Sequence, residues 1–131
     1  MPSLFTSLGS HVISLDQKTG TVQWETEILP GRSQLVAHQK NVYVVVESLS
    51  KRRLFVLDAK NGKIVQETTL EGSGQAPTLL VEDGRVFVTC GGVASAFTLE
   101  GVLLWKNEFK GKGNGAMGMS TLERDRQADE Y

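Results

Sequence analysis

The chain has 131 residues and a mass of 14.3 kDa, enough for one domain, and its 40% hydrophobic and 22% charged content is ordinary for a globular protein. A formal net charge of −1 supplies no global positive field to gather nucleic acid or an anionic membrane surface. The single cysteine excludes an internal disulfide, and no stretch approaches the roughly 18 apolar residues of a membrane-spanning helix.

The amino end, MPSLFTSLGSHVISLD, has neither a basic leader region nor a long apolar run. The chain as given therefore reads as cytoplasmic, or as periplasmic or extracellular if a signal peptide has been removed. From residue 3 to residue 108, short β-branched and aromatic runs alternate with turn residues, which predicts an all-β domain. The first unit offers three strands, at 3–7, 11–15 and 21–28. The second offers four, at 33–37, 41–47, 53–58 and 63–70, and the third repeats them at 76–81, 85–90, 94–98 and 102–109. The first unit thus lacks its first strand. A run from Gly115 to Leu122 falls where a fourth unit would begin, since Ser33, Ala76 and Met119 are spaced by 43 residues at each step. The polar run 123–131 offers nothing to continue a sheet and is expected to be frayed or disordered.

The units share one phrase: HVISLDQKTGTVQWETEI from His11, LFVLDAKNGKIVQETTL from Leu54 and ASAFTLEGVLLWKNEF from Ala94. Its turn glycines, Gly20, Gly62 and Gly101, lie 42 and 39 residues apart, a period of stacked or radial repeats. In the turns, Asp16 and Asp58 are placed to accept backbone N–H groups and glycine supplies the positive φ that closes the loop. Asn61-Gly62 is a hairpin dipeptide. Trp24 and Trp105 follow their glycines by four residues and are expected as wedges packed between neighbouring sheets. Gln66 stands in that place in the second unit, so the Gln66 junction is expected to be the least tightly packed.

The pattern small-x-Asp-x-x-Thr-Gly-x-x-x-Trp, filled by Ser14, Asp16, Thr19, Gly20 and Trp24, resembles the tryptophan-docking motif of pyrroloquinoline-quinone-like (quinoprotein-type) β-propeller repeats. It recurs through Ala96, Gly101 and Trp105, and in degenerate form through Val56, Asp58, Asn61 and Gly62. The resemblance implies four-stranded antiparallel blades: blade 1 at about 3–30, blade 2 at about 31–72, blade 3 at about 73–110 and an extra strand at about 116–122. Quinoprotein dehydrogenases of this family use a full ring, a bound quinone, calcium, a catalytic Asp and often an adjacent-cysteine disulfide. Asp16 and Asp58 match the structural turn Asp of the repeat, so no catalytic residue carries over, and neither cofactor nor metal is expected.

Other residues have plain structural readings. Cys90 lies in a strand pattern as a small buried hydrophobe, His11 and His38 have no partner at metal-ligand spacing, and Lys51, Arg52 and Arg53 form a hairpin tip. KGKGNG from Lys110 lacks the Gly-Lys-Ser/Thr ending of a phosphate loop and reads as a linker. Three blades do not close a ring, and apolar faces at both ends need covering. The expected function is a non-catalytic scaffold or protein-interaction module that completes its ring with a second copy, forming six blades, or with another protein. Met119, Ser120, Thr121 and Leu122 would then add to the first unit, near Leu4 and Phe5, of a neighbouring chain. Candidate contact loops are 48–52, 72–75 and Gly91-Gly92. The alternative is a fragment of a quinoprotein-type dehydrogenase or of a redox or ligand-binding propeller.

Overall fold

The structure, a computed structural model, describes residues 2–48, 51–72, 76–113, 115 and 117–123, together with the backbone of 125–127. Strands β1 (Ser3–Leu8), β2 (His11–Asp16) and β3 (Val22–Glu27) make one antiparallel sheet in the order β1-β2-β3. Strands β4 (Arg32–His38), β5 (Asn41–Glu47), β6 (Arg52–Asp58) and β7 (Ile64–Thr69) make the second in chain order. Strands β8 (Thr78–Glu82), β9 (Arg85–Cys90), β10 (Val93–Thr98) and β11 (Leu103–Asn107) make the third, again as a meander. No helix occurs among the described residues. The expected all-β architecture of a three-stranded and two four-stranded blades is present.

The sheets converge at one edge: β4 touches both β1 and β8, and the Ser33 hydroxyl donates to that of Ser7 at 2.9 Å. Two apolar layers fill the spaces between blades. Val12, Val42, Val44, Val46, Phe55 and Leu57 lie between the first and second blades, and Tyr43, Val45, Leu54, Val56, Leu79, Val86, Val88 and Phe97 lie between the second and third. The run 42–46, VYVVV, feeds both layers in alternation, because successive strand side chains point to opposite faces. A strand covered on both faces reads as a continuous apolar run, and each of these valines contributes about 1.5 kcal/mol or more of burial free energy.

The carboxyl end departs from expectation. β12 (Gly118–Ser120) lies where the extra strand was placed, but it pairs antiparallel with β13 (Asp125–Gln127), with Met119 opposite Arg126. Three residues of the run expected to be frayed are therefore in a strand. The hairpin is anchored because the Thr121 hydroxyl donates to Oε1 of Glu82 at 2.9 Å and accepts from the backbone N–H of Glu123 at 3.1 Å. This hairpin lies beside β8, the first strand of the third blade. Residues 124 and 128–131 of the expected tail lie outside the described residues.

Cys90 occupies the end of β9 and is 2% exposed. Burial pushes its thiol up to about 11, so it is a protonated small hydrophobe at neutral pH, as its place in the strand pattern implies.

Candidate functional site: the blade-docking faces

Each turn between the third and fourth strand of a blade is built by local hydrogen bonding. Oδ1 of Asp16 accepts from the N–H of Lys18 at 2.7 Å and of Thr19 at 3.3 Å, while the Thr19 hydroxyl donates to that of Thr21 at 2.9 Å. Oδ1 of Asp58 accepts from Lys60 N–H at 2.8 Å, and Oδ1 of Asn61 from Lys63 N–H at 2.9 Å. Gly62 closes its loop at φ +77, with its N–H bonded to the Asp58 carbonyl at 2.8 Å. Oδ1 of each carboxylate is engaged in shaping its loop.

Across every blade runs a row of three paired residues: Phe5, Ser14 and Trp24 in the first, Tyr43, Val56 and Gln66 in the second, and Phe87, Ala96 and Trp105 in the third. The first position is aromatic, the middle one small, and the last faces the next blade. In all three sheets the register slips at the step before the last residue, skipping Gln23, Val65 and Leu104. Such a bulge re-aims the following side chain, and here that side chain is the docking residue. The bulge carried no signal in the sequence, because it depends on the pairing of strands joined by turns of different lengths.

Trp24 shows what docking means. Its Nε1–H donates to the Ala59 carbonyl at 3.0 Å, its ring lies 5.9 Å from that of Phe5, and the Thr26 hydroxyl donates to the Gly62 carbonyl at 2.6 Å. A Cβ on Gly62 would lie 2.5 Å from Cε3 of Trp24. Glycine is therefore required here by the partner's indole as well as by φ.

The second junction replaces the indole. A Cβ on Gly101 would lie 2.8 Å from Cγ of Gln66, and the Thr68 hydroxyl donates to the Gly101 carbonyl at 3.0 Å. The anchoring bond comes from the other end of the row, where the Tyr43 hydroxyl donates to the Leu99 carbonyl at 2.7 Å. Burial raises the Tyr43 hydroxyl above its ordinary pKa and keeps it a donor. A cleft of about 380 Å3 opens beside Gln66, lined by Lys40, Asp58, Val65, Glu100 and Val102. Tyr43 was missed by the sequence reading, although its alignment with Phe5 and Phe87 was available once strand pairing was known. Tyr43→Phe is expected to cost about 1–2 kcal/mol, the loss of the bond to the Leu99 carbonyl and of the weaker one accepted from Asn41 Nδ2 at 3.3 Å, read as a shift of the urea midpoint at unchanged slope.

At the two outer faces the docking parts stand open. Trp105 is 48% exposed, touched within its blade by Phe87 at 6.4 Å between ring centroids. Gly20, at φ +75, has nothing within 4 Å of the position of a Cβ. Val102, Leu103 and Leu104 are exposed beside Trp105, and Leu4, Leu8 and Val22 on the first blade. The expected strand-addition residues are not brought together within the chain. Met119 and Thr121 are half-buried at the hairpin beside β8, Ser120 and Leu122 are exposed, and Phe5 sits inside the first junction. Leu4 is exposed on β1, a strand that pairs only with β2 among the described strands.

No group of three or more His, Cys, Asp or Glu side chains that could hold calcium converges among the described residues, and Oδ1 of Asp16 and of Asp58 is engaged by backbone donors. Of the candidate contact loops, 48–52 and 72–75 lie partly outside the described residues, while the Gly92 N–H meets Sδ of Met117 at 3.1 Å.

Comparison with known proteins places the fold. A family profile described as outer membrane protein assembly factor BamB matches residues 9–125. Among solved structures, BamB from Moraxella catarrhalis aligns with a TM-score of 0.69 at 18% identity, over 96% of this chain and 43% of that one. AztD from Citrobacter koseri aligns with a TM-score of 0.66 at 17% identity, over 88% of this chain and 34% of that one. A europium-containing methanol dehydrogenase aligns with a TM-score of 0.59 at 18% identity, over 79% and 22%. This chain spans less than half the length of each. No curated protein matches it.

Proposed function

The chain belongs to the outer membrane protein assembly factor BamB family of PQQ-like β-propeller repeats, and from that premise we propose that it is a non-catalytic scaffold whose blades work as part of a completed ring. The observation that supports this reading is the pair of open docking faces, an exposed Trp105 at one end and an uncovered Gly20 turn at the other. Docked blades bury an indole against a glycine turn, as Trp24 does on Gly62, so the open parts are suited to holding further blades. Those blades come from a second copy, from another protein or from the rest of a longer propeller, and the finished ring presents its loops to partners, as the assembly factor named for the family implies by analogy of fold. The dehydrogenase among the structural relatives lends a redox role little support, since the described residues bring together no His, Cys, Asp or Glu cluster of the kind that could hold calcium.

Purification from the native source is expected to yield a complex heavier than one chain. Adding pyrroloquinoline quinone and calcium is expected to leave thermal unfolding unchanged and to produce no dye-linked alcohol oxidation. A lone chain at micromolar concentration, or stoichiometric quinone with turnover, would overturn the reading.

A further inference from the structure

We propose that the junction between the second and third blades holds a small-molecule site, a slot over Gly101 that takes a flat aromatic ring of indole size carrying an ammonium group. Both blades of this junction are four-stranded, β4–β7 and β8–β11. The slot is built between them alone, so it stands apart from the scaffold reading and from how the ring is completed.

The repeat itself shows what such a slot accepts. At the first junction the glycine turn is covered by Trp24, which is half-buried and so close that a Cβ on Gly62 would meet its ring at 2.5 Å. At the second junction the glycine bed is kept and the indole is not. Gly101 again has a positive φ, +92, and Val56 Cγ2 lies 3.1 Å from the position of its Cβ. The exposed Gln66 reaches this bed only with its aliphatic stem, Cγ at 2.8 Å and Cβ at 3.4 Å.

The walls change in the opposite sense. Beside Trp24 the residues before the docking position and after the facing glycine are Gln23 and Lys63, both polar. Gln23 accepts from the hydroxyls of Ser3 and Ser14, each at 2.7 Å. Beside Gln66 the same two places hold Val65 and Val102, 56% and 58% exposed. Where the chain supplies the ring the walls are polar, and where it supplies an amide the walls are apolar. The apolar surface that would sandwich a ring is thus placed at the junction that has no ring of its own.

The cleft bounded by these valines has a volume of about 380 Å3, within the range of small-molecule sites. Its polar lining is Lys40, Asn41, Asp58, Gln66 and Glu100. Nδ2 of Asn41 donates to the Tyr43 hydroxyl at 3.3 Å, and that hydroxyl donates to the Leu99 carbonyl, the counterpart of the Ala59 carbonyl that receives the Trp24 N–H. A guest therefore finds the indole's own acceptor engaged, and the charged acceptors left to it are the carboxylates of Glu100 and Asp58. Oδ1 of Asp58 is held by the Lys60 N–H, which leaves Oδ2 toward the cleft chemistry. Two carboxylates against the single ammonium of Lys40 select a cationic guest over an anionic one.

Tryptamine is the probe, titrated into the chain and followed by amide NMR. The resonances of Val65, Gln66, Gly101 and Val102 are expected to shift saturably with a midpoint of about 1 mM or below, ordinary for a ligand of about a dozen heavy atoms. Indole-3-acetate, with the same ring and the opposite charge, is expected to bind about tenfold more weakly. Glu100→Gln, at an exposed position, is expected to bring the two ligands within about threefold of each other. Gln66→Trp supplies the ring from the chain itself, and is expected to abolish the tryptamine response and raise the urea midpoint. Shifts scattered over the surface or unsaturated at about 10 mM, or equal binding of the two ligands by the unsubstituted chain, would overturn the proposal, and neither needs a variant to fold. Undiminished binding by folded Gln66→Trp, or an unchanged preference in Glu100→Gln, would overturn it as well. None of these readouts depends on the mass of the assembly, so the site and the scaffold reading fail separately.

Discussion

Trp24→Ala should lower the unfolding free energy by about 3 kcal/mol, and Gly62→Ala by about 2–3 kcal/mol, but the two together should cost much less than their sum. Trp24 loses ring packing against Phe5 and the bond from its indole to the Ala59 carbonyl. Gly62→Ala drives a methyl to within 2.5 Å of the indole and also forces alanine to φ +77. Removing the indole first relieves its share of the collision and leaves the contact with Oγ1 of Thr26, 2.6 Å from the same position, together with conformational strain of about 1 kcal/mol. A double-mutant cycle by guanidinium unfolding should therefore show coupling above about 1 kcal/mol. Strict additivity would mean that the glycine answers to its own backbone and to Thr26 rather than to the indole.

Arg32→Met should cost about 3 kcal/mol, because it strips a partner from a charge inside the protein. Glu47 is 3% exposed, and its Oε1 accepts from Nε of Arg32 at 3.0 Å and from Nη2 at 2.5 Å. The pair ties the first residue of β4 to the last of β5, where Gly31 also presses close: a Cβ there would stand 2.3 Å from the Glu47 carbonyl oxygen. Replacing both residues, Arg32→Met with Glu47→Leu, should recover most of the loss, since no buried carboxylate remains. A double variant as unstable as the single one would place the cost in packing rather than charge.

The blades were legible in the sequence because the strand period, the turn residues and the repeat spacing all point the same way. Asp16, Thr19 and Gly20 act within a few residues of one another, so their roles follow from local hydrogen bonding. Trp24 as a wedge was legible from its fixed distance to Gly20, although the glycine it docks on is Gly62, 38 residues further along the chain. Tyr43 was not legible as an anchor. Its hydroxyl meets the Leu99 carbonyl across 56 residues, and only the pairing of β5, β6 and β7 shows that it stands at the far end of the row from Gln66. The short strand at 125–127 was not legible for a related reason. Polar residues say little about pairing when a hairpin is held by a contact such as Thr121 with Glu82, 39 residues apart.

By itself the sequence determined the all-β class, the division into repeated units, the turn chemistry and the three strands of the first unit, because each depends on patterns repeated along the chain. The tertiary structure decided which turn each docking residue meets, that a bulge aims it there, and that Tyr43 takes over where the indole is missing. It also decided that Trp105 and Gly20 are left open while β12 rests beside β8. These are relations between sheets. Their geometry is fixed by packing across the blade interface, which acts between residues that the chain order keeps about 40 positions apart.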